Sequence, residues 1–291
     1  MKRMVRILPA MAILAAASVT MNAAETKEKL FLVINYSVHH CNIDIELNGM
    51  QMTKTDKQSA YSTTGFSTGA GLWIMPGKNT LSVLVRPKEK TADSADRPSI
   101  EVSLSTVKEG QMTNEGNRFF ELKIPEKESD TRLDNVTKPF TVTRTFTTAY
   151  APPSELWGKV KKAPIDDAAR AEIIKLVKDY YGALKKKDAD AVWSILQFAS
   201  LDSSRIRHQP VEELKGQFSK VFREMMADKS FILLPLDTGK LVLKPVADGK
   251  VIQVLNQSGA EPIRTKETKD GGAYTFGVFA GNVDGKWIIV R

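Results

Sequence analysis

Cysteine is almost missing from this chain: its 291 residues include one, Cys41. A chain with a single cysteine has no internal disulfide, so each folded part must be held by its own apolar core. Histidine is scarce too, at His39, His40 and His208. This scarcity removes the usual zinc spacings, and no Ser-His-Asp set, glycine-rich phosphate loop or spaced carboxylate pair stands in their place. Beyond residue 24 no stretch is apolar enough to cross a membrane, which takes roughly 20 residues. Charge of one sign is limited as well. The formal net charge is +8, but part of it lies in Lys2, Arg3 and Arg6. Residues 25–150 are balanced, and the rest of the excess falls in 151–291. With no long basic run interleaved with aromatics, nucleic acid is not an expected partner. Lys185-Lys186-Lys187 reads as a solvated helix end, where positive charge suits the helix dipole.

What is present begins with a targeting pattern. A basic start leads into the apolar stretch Ile7–Val19, followed by Asn22-Ala23-Ala24 and then by charged residues. This is the layout of a secretory signal peptide over residues 1–24, with cleavage expected near Ala23/Ala24 and a periplasmic or secreted destination. The mature chain is expected to have no transmembrane segment.

Residues 25–150 read as an all-β sandwich. Leu30–Val38 and Asn42–Leu47 alternate apolar and polar residues, and Asn48-Gly49 offers the positive φ angles of a tight hairpin before a return strand holding Met50 and Met52. Leu72–Met75, the Pro76-Gly77 turn and Leu81–Val85 read as a second hairpin. Ile100–Leu104, Phe119–Ile124 and Phe140–Phe146 supply further strands, for seven or eight in all. Arg86–Arg97 and Pro125–Lys138 read as polar loops. The pair Ile45-Glu46-Leu47-Asn48-Gly49 and Pro76-Gly77-Lys78-Asn79-Thr80-Leu81 resembles a pattern of immunoglobulin-like and jelly-roll sandwiches of secreted proteins. That resemblance implies a sandwich used for binding or spacing. Residues 151–164 read as a linker stiffened by Pro152-Pro153, with Trp157 expected to dock on a domain.

From residue 165 the period changes. Ile173, Ile174, Val177, Tyr180, Tyr181 and Leu184 make one apolar helix face, which Asp166 or Asp167 can cap. Asp188 caps a second helix holding Val192, Trp193, Ile195 and Leu196. A third, Val211–Met226, carries Leu214, Phe218 and Phe222. Strands are expected at Phe231–Leu234, Lys240–Val246, Val251–Leu255, Ala273–Phe279 and Trp287–Val290, with turns at Asp248-Gly249 and Asp284-Gly285. The segment Val177–Leu196, with its Asp188-Ala189-Asp190 junction, and the ending Tyr274–Phe279 with Gly285–Val290 resemble the nuclear-transport-factor-2-like (SnoaL-like) superfamily. The resemblance implies an α+β cone over 165–291, three helices packed on a curved antiparallel sheet. The fold class expected is therefore two-domain, a β-sandwich followed by this cone.

That superfamily includes isomerases and dehydratases with an apolar pocket inside the cone, and binding domains with no chemistry. By the resemblance, Tyr180 stands where an oxyanion-holding tyrosine occurs. The matching base position is Ser204, which cannot abstract a carbon-bound proton unaided, with Asp202 as the nearby substitute. Tyr180, Trp193, Phe218, Phe222, Phe276 and Trp287 are the pocket candidates, and each also reads as core. His208 reads as a surface residue. In the first half His39, Cys41, Met50 and Met52 combine imidazole, thiol and thioether, a set that suits Cu(I).

Weighed together, these features favour a non-catalytic exported binding protein, with no cofactor, acting on a protein or other component of the cell envelope. An immunity or inhibitor protein and an envelope accessory factor both fit. The alternatives are a small-ligand carrier or an isomerase/dehydratase-type enzyme using the cone, and a copper-binding protein. Edge strands offer a route to a homodimer. A binding role calls for a collapsed interior and an exposed patch.

Overall fold

The computed structural model describes residues 28–55, 62–87, 98–127, 133, 138–268 and 271–291. The expected signal segment with its expected cleavage point, and much of the two expected polar loops, lie outside the described residues. The chain is mixed α+β with antiparallel sheets. Its contacts divide it into two compact units, one ending at Pro153 and the other beginning at Ser154.

The first unit has eight described strands: β1 (Leu30–His39), β2 (Cys41–Leu47), β3 (Met50–Lys54), β4 (Ser62–Ser67), β5 (Gly77–Pro87), β6 (Ser99–Lys108), β7 (Asn117–Ile124) and β8 (Phe140–Thr148). They form two four-stranded sheets, ordered β4-β1-β6-β7 and β3-β2-β5-β8. In the first sheet Ile34 lies opposite Leu104, Val38 opposite Ile100 and Val102 opposite Leu122. These side chains share one face and are buried. Ile43, Ile45 and Leu47 of β2, with Leu81, Val83 and Val85 of β5, bury one face of the second sheet. Fully burying each such side chain stabilises a fold by about 1.5–3 kcal/mol, and that supplies what the missing disulfides do not.

Two local features set this topology. His40 has φ 53, which breaks the extended chain and lets β1 and β2 join different sheets. At the β2–β3 hairpin Asn48 and Gly49 have φ 53 and 81, the pair of positive values that a tight hairpin requires. The expected strand at Leu72–Met75 does not form. A short 3₁₀ turn, Gly69–Leu72, leads instead into chain held by two buried asparagines. Asn48 Nδ2 donates to Trp73 O (2.7 Å) and Asn79 Oδ1 (2.8 Å), and its Oδ1 accepts from Thr80 N (2.9 Å). Asn79 Oδ1 accepts from Met75 N (2.8 Å), and its Nδ2 donates to Met75 O (2.9 Å). Side chains therefore satisfy backbone groups that a strand ladder would otherwise use.

The second unit opens where a linker was expected. α1 (Leu156–Lys159) is a single turn, and β9 (Val160–Lys161) pairs with a later strand. Three long helices follow: α2 (Asp167–Lys185), α3 (Ala189–Ile206) and α4 (Leu214–Ala227). Asp166 caps α2 by accepting from Ala169 N (2.8 Å), and Asp188 caps α3 by accepting from Ala191 N (2.9 Å). The remaining strands are β10 (Val242–Val246), β11 (Val251–Leu255), β12 (Ile263–Arg264), β13 (Thr275–Phe276), β14 (Val278–Val283) and β15 (Lys286–Ile289). The main sheet runs β10-β11-β14-β15 with β9 alongside β14, while β12 and β13 pair separately. The strand expected at Phe231–Leu234 is reduced to one bridge, Leu233 to Thr265. Among the described residues no helix is long and apolar enough to cross a membrane.

Candidate functional site

The residues expected to line a pocket in the second unit are packed into its core. Tyr180, Trp193, Phe218, Phe222, Phe276 and Trp287 belong to one apolar cluster with Val177, Leu184, Met226 and Ile289. Tyr180 meets Phe276 edge-on at 6.0 Å between ring centroids, Trp193 meets Phe218 edge-on at 5.1 Å, and Phe218 stacks on Phe222 at 4.3 Å. These are the offset and edge-to-face arrangements that aromatic quadrupoles favour. Tyr180 is 1% exposed. Burial pushes its phenol well above the ordinary value of 10.0, so it stays neutral.

Asp202, named above as the substitute base, is engaged in a buried polar cluster. It lies within α3 and is fully buried. Its Oδ2 accepts from Ser154 Oγ (2.7 Å) and Arg291 Nη1 (2.7 Å), and its Oδ1 from Glu155 N (2.6 Å) and Leu156 N (3.3 Å). Arg291 is itself 3% exposed in its side chain, and its guanidinium carbon lies 6.0 Å from the centroid of the Trp157 ring. Burial pulls the Arg291 guanidinium below its ordinary value while the facing carboxylate works against that shift. The cluster ties α3, the chain before α1 and the last residue together. Trp157 is buried within this same unit. Ser204, the other position implied for a base, donates its hydroxyl to Gln209 O (2.9 Å). His208 follows α3 with φ 53 and is partly exposed.

The four sulfur and imidazole candidates of the first unit do not converge. His39 ends β1 and Cys41 begins β2, so the turn at His40 places them in different sheets rather than on one strand face. Met50 lies opposite Leu47, at the far end of β2 from Cys41, about 20 Å away at strand rise. Met52 stands at the bulge opposite Ile45 and Glu46, about 13 Å along β2 from Cys41. Among the described residues no group of three His, Cys, Asp or Glu side chains is placed to hold a metal ion.

An open cavity lies elsewhere, on the outer face of the first sheet, with a volume of about 620 Å³. The register shows how it is built. Asn35 of β1 lies opposite Phe66 of β4, and Ser105 of β6 lies opposite Arg118 of β7, all on the face away from Ile34 and Leu104. The β6–β7 connection forms a wall: Asn35 Nδ2 donates to Thr113 O (3.0 Å), and Thr113, Asn114 and Gly116 line the cavity. At Gly116 a Cβ would lie 2.6 Å from Thr106 O and 2.5 Å from Val107 Cγ1, so only glycine lets the connection lie this close to β6. Thr64 closes the side toward β4, and Tyr36 and Gly65 also line the cavity. Phe66 is 59% exposed and Met112, in the wall segment, 67%.

Beside the groove the charges cancel. Arg118 pairs with Glu101 (3.3 Å) and with Glu121, and Lys123 reaches Glu121 (3.2 Å). Desolvation works upward on Glu121, but Lys123 and Arg118 outweigh it and hold the carboxyl below the ordinary value. None of the groove residues was singled out in the sequence. The outer-face alternation Asn35, Ser37 with Ser103, Ser105 was legible at period two, but β4 carries too few apolar residues to show itself as a strand.

No protein-family model, curated protein or solved structure matches this chain.

Proposed function

We propose that this is an exported, non-catalytic binding protein. The first unit is read as a sandwich that engages a component of the cell envelope, and the second as a cone-like scaffold. The observation that carries the reading is the groove on the outer face of β4-β1-β6-β7, polar at its floor, with Phe66 and Met112 left in water beside it. A volume of this size falls in the range of ligand sites, and Phe66 adds an exposed aromatic ring to its polar side chains. A catalytic role for the second unit is disfavoured by the company its candidate groups keep. Tyr180 is packed in the core, and Asp202 is occupied by the Arg291 guanidinium and two backbone amides.

The test is recovery of the tagged mature chain from its host's envelope, beside the variants Phe66→Ala and Ile232→Ala. Ile232 is an exposed residue of the second unit. The reading expects an envelope component that accompanies the wild type and Ile232→Ala at constant stoichiometry and is lost from Phe66→Ala. Equal recovery with all three proteins, or a chain that turns over substrate through Tyr180, would contradict it.

A further inference from the structure

Resting on that reading of the groove as a binding face, we infer that its ligand is a neutral glycan chain. A pyranose ring presents an apolar C–H face and a rim of hydroxyls. It therefore calls for one accessible aromatic ring and several neutral donors and acceptors at close range. The groove supplies this combination. Phe66 on the edge strand gives the aromatic ring, while Asn35, Thr64, Ser105 and Asn114 give neutral amide and hydroxyl groups. Asn35 Nδ2 is committed to Thr113 O, which fixes the amide plane and orients its carbonyl oxygen. The floor is rigid, since Asn35 and Ser105 stand on adjacent central strands of the sheet.

The other ligand classes fit this surface less well. An anionic ligand needs uncompensated cations, but Arg118 is already held by Glu101 and Glu121, and Lys123 by the same carboxylates. A small apolar ligand needs enclosure by aliphatic and aromatic walls, whereas this groove is open and sets Asn35, Thr64, Ser105 and Asn114 beside its aromatic rings. An extended peptide would add to the edge of β4 through backbone hydrogen bonds and would have little use for the Asn35–Ser105 floor.

The experiment titrates the full mature chain with chitohexaose, cellohexaose, maltohexaose and mannohexaose by calorimetry, beside an end-capped Thr/Val decapeptide as a strand mimic. Phe66→Ala is the groove variant and Ile232→Ala the control. Because Phe66 is 59% exposed, its removal is expected to leave the thermal unfolding curve in place. At least one hexaose should bind saturably. Phe66→Ala should weaken that binding by about tenfold or more, Ile232→Ala should leave it unchanged, and about 0.5 M salt should leave it unchanged because no charge pairing is involved. The glycan assignment is overturned if no hexaose binds with a dissociation constant below about 10 mM, if binding is indifferent to Phe66→Ala, or if only the decapeptide binds. Should the hexaoses fail while Phe66→Ala still loses the envelope component, the groove remains the binding face and the glycan assignment alone falls.

Discussion

A carboxylate surrounded by Ser154 Oγ, two backbone N–H groups and a guanidinium has its acceptor sites filled, and Asp202 is in that position. Such a group serves structure, and its removal leaves Arg291 buried without its counter-charge. Asp202→Ala is expected to destabilise the second unit by about 3–5 kcal/mol, read as a fall in the urea midpoint. Pairing it with Arg291→Met should recover part of that loss, because the second change removes the stranded charge. Tyr180 behaves differently. Its phenol is raised above 10.0 by burial, so its contribution to stability is fully present below about pH 10 and is lost as the pH climbs beyond that value. Tyr180→Phe is expected to change stability at pH 7 by less than about 1 kcal/mol and to flatten the alkaline decline. Unfolding midpoints measured at both ends of that range check this.

The elements that were legible in the sequence are those whose stability is local. β11 falls at the expected Val251–Leu255, and Asp166 and Asp188 cap the helices they precede, because alternation and capping depend on near neighbours. Asp188→Ala should therefore cost about 1 kcal/mol in thermal or chemical unfolding. Where long-range partners decide, the sequence pattern misleads. Asp202-Ser203-Ser204 has the composition of a turn, yet it continues α3, because the Asp202 carboxylate is taken up by Ser154, Glu155, Leu156 and Arg291, all distant in sequence, rather than by the backbone beside it. Leu72–Met75 has the composition of a strand, yet Asn48 and Asn79 take up its backbone groups. Truncating Asn48 strands several buried partners, so Asn48→Ala is expected to cost about 2–4 kcal/mol at roughly 1 kcal/mol per neutral bond. The groove depended on tertiary placement throughout. Phe66, Asn35 and Arg118 come from three strands distant in sequence, and the wall from a connection whose close approach depends on Gly116.

Across the whole molecule the two units differ in what they leave exposed. The second packs Tyr180, Trp193, Phe218, Phe222, Phe276 and Trp287 into one core, and the first presents an aromatic ring and polar side chains to solvent. Since each unit is compact by its own contacts, Ala24–Pro153 and Ser154–Arg291 expressed separately are each expected to unfold cooperatively, as followed by circular dichroism. On the proposed function, ligand meets the first unit at this groove and not the interior of the second. Backbone amide spectra of residues 25–291, recorded during titration with the neutral hexaoses, distinguish the two sites. Shifts confined to Asn35, Tyr36, Thr64–Phe66, Ser105 and Thr113–Arg118 are expected. Shifts centred on Tyr180, Trp193 and Phe276, with the groove unmoved, would contradict it.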